Sequence, residues 1–440
     1  MNSAEKNRQI RKARPIWSVS NSEIGMKKGC LRRWNLSSNN RNNLSPNRPN
    51  FKFTLGTGVH YALEQMYGFG KDPLESFLDW SAKEMKRIRD LLGPKMTGDM
   101  EAEAQEVLEL GRGMVAHYAQ WCKKNDVFDP VVMEHNFEVP IPGTRVVIGL
   151  LRDVEVVTEP LLWKQEVVWE DWVQELYGKD PLKDETFQNR YLKNNLVTFR
   201  LTSVGWTLIV PGLYVGTIDG IVRSKKNPNN FWLLEHKTRA NLFDPEILTL
   251  DEQTSKYIWA AHQLIARGTF PGITSATRLQ GVIFNVLRKK VPRKPDVLQN
   301  GAISKNKNID TTEEVYRAAV IEAGLDPTDY ADFLKILKAR GNKFFQREPI
   351  RRGPQEVENV GRRLQYEFED LQKLQDIPLD PDDPRLYPSP TEDCVWKCDF
   401  RSVCIVANYG GDTQSIIDLE YQQGRDRGAS YSTPQKYGKI

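Results

Sequence analysis

Between about residues 55 and 125 apolar side chains recur at helical spacing, with Val107, Leu110, Met114, Tyr118 and Trp121 on one stripe. That period predicts amphipathic helices. From 131 to 290 the pattern shortens to β-branched and aromatic runs: VVMEHNFEVPI, TRVVIGLL, LVTFRLTSVGWTLIV, YVGTIDGIVR, FWLLEHKT and LQGVIFNVL. Runs of this kind predict strands, and together a mixed sheet. One helical stretch, DEQTSKYIWAAHQLIARG, interrupts them. The expected fold is therefore α/β, a central mixed β-sheet flanked by helices. Residues 291–310 read as exposed loop, and further helices are expected around 311–340 and 354–375, the latter with Val357, Val360, Leu364, Phe368 and Leu371 on one face. Residues 1–25 and 411–440 are polar, with too few apolar groups to order themselves, and are expected as flexible tails. The pattern divides the chain into a basic tail (1–25), a helical region (26–130), a core (131–290), a loop with helices (291–380), a cysteine-bearing segment (381–410) and a second tail (411–440).

Composition adds little to this picture except in its cysteines. The 440 residues are 39% hydrophobic, enough for a sizeable core, and a net charge of +4 from 62 basic and 58 acidic residues permits a DNA partner without demanding one. The opening MNSAEKNRQIRKARPIW lacks an apolar signal segment, and no run approaches the roughly 18 apolar residues of a membrane span. A cytoplasmic protein without membrane contact is expected. In a reducing compartment clustered cysteines point to metal ligation rather than disulfides. Three of the five cysteines, Cys394, Cys398 and Cys404, fall within eleven residues. A fourth ligand is offered by Cys30 or Cys122. Cys122 shares an apolar helix face with Val115 and Tyr118, whereas Cys30 lies in the polar segment MKKGCLRRW and suits a ligand better. Four thiolates fit a tetrahedral Zn2+ or a [4Fe-4S] cluster alike.

The chemistry centres on Gly216-Thr217-Ile218-Asp219-Gly220 in one strand and Leu233-Leu234-Glu235-His236-Lys237-Thr238 in the next. Asp219 and Glu235 each interrupt an apolar strand. Alternation sends Glu235 and Lys237 to one face and His236 to the other. A hairpin turning around Lys225 to Asn230 brings Asp219 to the side of Glu235 and Lys237. Converging carboxylates repel unless a cation neutralises them, so such pairs mark Mg2+ or Mn2+ sites. A bound ion polarises a phosphate and acidifies water, and a lysine beside it stabilises developing charge. The plain alternative is a turn-capping aspartate and a solvated cross-strand ion pair. Upstream, LGTGVHYALE reads as a glycine-rich entry into a helix, with His60 in its first turn and Glu64 one turn later. Downstream, Gln253 and Tyr257 stand at i and i+4 on the following helix, within reach of a phosphate or a metal-bound water.

In order, GxxxH, GxxD, ExK and QxxxY resemble the RecB-type branch of the PD-(D/E)xK nucleases over most of residues 25–410. The resemblance implies metal binding by His60, Asp219, Glu235 and the backbone carbonyl of His236. It makes Lys237 the catalytic lysine, supported by Gln253 and Tyr257, and offers Glu134 as a further carboxylate from an earlier strand. One N-terminal and three C-terminal cysteines resemble the iron-sulfur staple of AddB-type helicase-nucleases and CRISPR adaptation nucleases. That implies a [4Fe-4S] cluster on Cys30, Cys394, Cys398 and Cys404, although the gap between the first two C-terminal cysteines is three residues where two is commoner. The implied activity is exonuclease action on single-stranded or end-containing DNA in recombination, repair or replication. No GxxxxGK[ST] loop is present, so any helicase or recombination protein would be a separate partner, and the form resembles free-standing versions carried by bacteriophages and CRISPR systems. Three basic and aromatic sets are expected to line a single-strand groove: Lys27, Lys28, Arg32, Arg33 and Trp34; Arg288, Lys289, Lys290, Arg293 and Lys294; and Phe344, Phe345, Arg347, Arg351 and Arg352. A structure-specific or restriction-like endonuclease and a non-catalytic, metal-stabilised DNA-binding adaptor are the competing readings. Nothing in the pattern sets an oligomeric state.

Overall fold

A computed structural model of the chain describes residues 15–48, 51–151 and 167–424. Strand β1 (Ser18–Ser20) leads into helices α1 (Asn21–Gly29) and α2 (Leu31–Ser37) and a short strand β2 (Leu44–Pro46). Three long helices follow, α3 (Phe51–Phe69), α4 (Pro73–Leu92) and α5 (Gly98–Asn125). Asp72 and Thr97 cap the N-termini of the last two by accepting backbone N–H groups. Then come β3 (Phe128–Pro140), β4 (Val146–Leu151), β5 (Val167–Trp169), α6 (Asp171–Tyr177), β6 (Thr198–Thr202), β7 (Gly205–Val210), β8 (Leu213–Ser224) and β9 (Phe231–Arg239). After α7 (Glu252–Ala266) and β10 (Leu279–Arg288), helices α8 (Glu313–Glu322) and α9 (Ala331–Arg340) precede β11 (Phe345–Arg351) and α10 (Pro354–Gln372). The described chain closes with α11 (Arg401–Asn408), α12 (Thr413–Glu420) and β12 (Tyr421–Gln423).

The main sheet runs β1-β8-β9-β10-β11, with β3 also paired to β8. It is mixed: β1 with β8 and β9 with β10 are parallel, the other pairs antiparallel. Leu233, Val282 and Phe284 pack on one face in the core shared with Ile258 and Leu264 of α7. Leu234, Ile283, Val222 and Phe128 pack on the other beside Tyr67 of α3. Helices therefore cover both faces, which is why β9 and β10 read as nearly continuous apolar runs.

Two of the expected strand segments lie elsewhere. TRVVIGLL and LVTFRLTSVGWTLIV supply β4, β6 and β7 of a separate four-stranded antiparallel sheet, β5-β4-β7-β6, inserted between β3 and β8, whose fourth strand β5 is not among the expected runs. Val146, Ile148, Leu208 and Val210 are buried while Val147 and Leu201 are exposed, the alternation of a sheet with one wet face. Strand β11 has no counterpart among the expected elements. Its sequence FQREPIR is charge-rich and carries Pro349, which an edge strand tolerates.

Both expected tails are ordered where described. Residues 15–25 contribute β1 and most of α1, with Ile16, Trp17 and Val19 buried. At the other end α12 and β12 follow α11, and β12 pairs antiparallel with β2. Leu36, Phe400, Val403, Ile417 and Tyr421 form a small core joining the two ends. Residues 1–14 and 425–440, the outer parts of those tails, lie outside the described residues.

Candidate active site

Strand β8 shares one edge between two partners. β1 pairs with Leu213 to Val215 and β9 with Gly220 to Arg223. The β8–β9 register runs from Arg223↔Phe231 to Gly220↔Leu234, across the hairpin whose turn lies at Lys225 to Asn230. Beyond it Asp219 Oδ2 accepts the His236 backbone N–H at 2.7 Å, so a side chain takes the bond where the ladder ends. On the opposite edge, β3 carries Glu134 at φ 44°, between Met133↔Gly220 and His135↔Ile218. A left-handed conformation at a non-glycine residue costs about 1–3 kcal/mol, and here it accompanies a carboxylate turned into the site.

The consequence is convergence. Ligand atoms of His60, Glu134 and Asp219 all lie within 4.8 Å of one another. His60 Nδ1 is 3.8 Å from Asp219 Oδ2, and its ring hydrogen-bonds the His236 backbone. Lys237 Nζ donates to Glu235 Oε1 at 2.5 Å and to Gln253 Oε1 at 3.2 Å. Gln253 Nε2 in turn donates to the Tyr257 hydroxyl at 3.1 Å and approaches Glu235 Oε1 at 3.5 Å. Asp251 caps α7 and so sets the first turn from which Gln253 and Tyr257 project. Asp219, Glu235 and His236 are buried, at 8%, 3% and 1% exposure.

Burial dominates the electrostatics. It raises Asp219 to about 6 against the lowering pull of Lys237 and the His236 N–H. It raises Glu235 to about 7, with Asp219 adding repulsion and Lys237 opposing. Glu134 is pushed to about 9 by burial and then by Asp219, Glu64 and Glu235. Burial likewise holds His60 neutral, near 4. For Lys237, burial disfavours the ammonium but Glu235 outweighs it, and its pKa is raised. Among the described residues Glu235 Oε2 is buried with no hydrogen-bond partner. Hard carboxylate oxygens, one neutral imidazole and an orphaned buried oxygen fit a Mg2+ or Mn2+ ion, whose charge would offset the repulsion.

Several sequence expectations need revision. His60 is not in a first turn: α3 starts at Phe51, and Gly56 and Gly58 are mid-helix residues chosen for packing. A Cβ on Gly56 would meet Thr238 Oγ1 at 3.3 Å, and one on Gly58 would meet the Trp80 ring at 2.3 Å. Part of the expected basic and aromatic groove is taken up by the fold. Trp34, Phe344 and Phe345 are buried and offer no stacking surface. Lys28 pairs with Glu252 and Glu367, Arg288 and Lys290 with Asp310, Arg293 with Asp296, and Lys294 with Glu322. Arg352 is buried against carbonyls of Leu248, Thr249 and Asp251. Arg347 pairs with Asp126 and, with Asn285, lies directly behind His236. Asn285 went unnoticed in the sequence. Its signal was a lone amide in the apolar run VIFNVL.

Cys30, Cys394, Cys398 and Cys404 come near enough to influence one another where the two chain ends pack, but among the described residues no three of their sulfurs form a compact ligand set. Cys30 Sγ accepts the N–H groups of Arg33 and Ser389 at 3.5 Å, and Cys394 Sγ that of Thr391 at 3.4 Å. Burial raises the Cys404 thiol; Arg32 counters it, and Cys30 and Cys394 add to it. Burial also raises Cys398, with smaller contributions from Cys404 and Cys394. Cys122 is buried on α5, apart from this group.

A family model described as the PD-(D/E)XK nuclease superfamily matches residues 18–405. No curated protein matches the chain. Among the described residues no helix is long and apolar enough to cross a membrane.

Proposed function

This chain belongs to the PD-(D/E)XK nuclease superfamily, and from that premise we propose that it is a Mg2+- or Mn2+-dependent deoxyribonuclease acting as an exonuclease on single-stranded or end-containing DNA. The observation that carries the reading is the convergence of His60, Glu134 and Asp219, whose ligand atoms lie within 4.8 Å of one another, with Glu235 near enough to repel Asp219 and Lys237 paired to it. His60, Asp219, Glu235 and the His236 carbonyl would hold the ion, with Glu134 as an added carboxylate. When bound, the ion polarises the scissile phosphate and lowers the pKa of a water. Lys237, kept charged by Glu235, donates a hydrogen bond to that water or to a phosphate oxygen and stabilises charge as it develops. Gln253 holds the ammonium in place and is itself braced by Tyr257. Product strands leave with a new hydroxyl and phosphate terminus.

End-labelled linear and circular single-stranded DNA, incubated with the chain and Mn2+, separate the readings. Loss of the linear substrate with the circle intact is expected. Cutting of the circle favours an endonuclease, and no turnover of either favours a DNA-binding adaptor.

For the cysteine site we propose four-cysteine ligation of a [4Fe-4S] cluster by Cys30, Cys394, Cys398 and Cys404, with Zn2+ as the alternative. The mutual influence of these thiols and the backbone N–H groups aimed at Cys30 and Cys394 support it. An anaerobic preparation should be coloured and contain iron. A colourless, zinc-loaded protein overturns the cluster.

A further inference from the structure

Behind the site, β9, β10 and β11 place three polar side chains on one rung. His236 lies opposite Asn285, and Asn285 opposite Arg347. Arg347 Nη2 donates to Asn285 Oδ1 at 3.1 Å and to the Tyr118 hydroxyl at 2.8 Å. Its Nη1 donates to the Asn125 carbonyl at 2.8 Å and to the Asp126 carboxylate. The Tyr67 and Tyr118 hydroxyls are 2.6 Å apart, and the Tyr67 ring stacks on His236 at 5.9 Å.

The direction of this chain of bonds follows from its far end. A guanidinium only donates, so the Asn285 amide oxygen must face Arg347 and its NH2 must face His236. His236 Nδ1, 2.9 Å from Asn285 Nδ2, is then an acceptor, and its ring proton sits on Nε2. Asn285 is fully buried. The row is closed at Asn285, whose amide oxygen and nitrogen both face partners, while among the described residues His236 Nε2 and Arg347 Nε are buried without one; a buried bond such as those of Asn285 is costly to lose and rigidifies what it touches. What it touches is the one residue whose backbone N–H holds Asp219 and whose backbone also meets His60.

We propose that Asp126, Arg347 and Asn285 form a positioning ladder that sets the His236 ring and peptide from the face of the sheet covered by α3, where the His60 ring meets the His236 ring edge-on at 5.8 Å, and through them the spacing of Asp219 and His60. Asn285 is the positioning residue that makes the contact. The inference rests on the nuclease reading for the purpose of the site, but its test does not need turnover.

Mn2+ binding to the full chain is titrated calorimetrically for the wild type, Asn285→Leu and Val282→Ala, a buried apolar neighbour on the same strand that makes no part of the ladder. Losing an outer contact of this kind should weaken Mn2+ binding about 10- to 100-fold in Asn285→Leu. Val282→Ala should lower the melting temperature while leaving the Mn2+ Kd within about two-fold of wild type, as expected for a change that leaves the ligand set alone. If turnover is measured, the lysine- and ion-dependent kcat should fall in Asn285→Leu with the DNA KM little changed. Unaltered Mn2+ affinity in Asn285→Leu overturns the ladder and leaves the nuclease reading standing. A wild type that binds no Mn2+ removes both. Nitrogen-15 spectra of the five histidines in the wild type give an answer even where the variant does not fold: a His236 ring carrying its proton on Nδ1 contradicts the ladder outright.

Discussion

Glu134, Asp219 and Glu235 keep three carboxyls in a corner that burial makes hostile to their charges, and this fixes how the ion-free protein must respond to pH. Each folded-state pKa, about 9, 6 and 7, lies above the ordinary carboxyl range near 4. The folded chain thus holds more protons than the unfolded one. The stability these groups contribute is full below about pH 4 and is lost as pH rises through their folded values. In EDTA the melting temperature should fall between about pH 7.5 and 9.5, above the range in which the histidines titrate in either the folded or the unfolded state. Glu134→Gln should flatten the upper part of that fall, and Mn2+ should reverse it by binding the charged forms. A melting temperature independent of pH in EDTA would contradict the burial argument. Lys237→Ala should lower kcat about 10²- to 10³-fold, the usual effect of removing one group that stabilises developing charge. Mn2+ binding should survive that change, and steady-state kinetics beside calorimetry checks both halves. Full activity would exclude Lys237 from the chemistry.

Elements place these residues through two local devices. The first is the parting of β9 from β8 after Gly220↔Leu234, which frees the His236 N–H for Asp219. The second is the close approach of α3 to α4, where Gly58 leaves room for the Trp80 indole. Gly58→Ala puts a methyl inside that ring's contact distance, so one helix must shift, at about 1–3 kcal/mol. Gly58 is two residues before His60, so Mn2+ affinity should drop as well. Thermal melts should show the loss, and Trp80→Ala in the same background should recover part of it. Additive effects of the two substitutions would mean that the ring and the glycine are not coupled.

At the scale of the molecule, backbone pairing and packing hold the chain ends together, whatever the four cysteines bind. β2 pairs with β12, and Arg41 donates to the carbonyls of Leu374, Gln375 and Pro378. Leu36 packs with Phe400, Val403, Ile417 and Tyr421. On the proposed four-cysteine ligation, Cys404→Ser should abolish metal binding at that site and any absorbance from it without unfolding the nuclease sheet. Limited proteolysis should show faster cleavage between about residues 385 and 424, while a fragment bearing β3 to β11 persists. Collapse of the whole far-ultraviolet dichroism on losing the centre would show that the cysteine site carries the entire fold.

Local pattern was enough to find most strands and helices, because burial on both faces of β9 and β10 leaves long apolar runs. It drew notice to Asp219, Glu235 and Lys237 as charges inside apolar runs, but only the order of motifs along the chain and the family resemblance gave them a role. It failed for β11, whose FQREPIR reads as surface, and for the terminal segments, whose few apolar residues find partners only from the opposite end of the chain. It also set Arg347 and Arg352 among residues lining a DNA groove, whereas Arg347 pairs with Asp126 and Arg352 is buried against backbone carbonyls. Periodicity reports which face of an element is buried, not which element covers it. Contacts between residues 60, 134, 219 and 236, or between 236, 285 and 347, depend on strand order, register and the point where a sheet divides. Those are long-range properties of the folded chain, and they decided where the acid groups meet and what stands behind them.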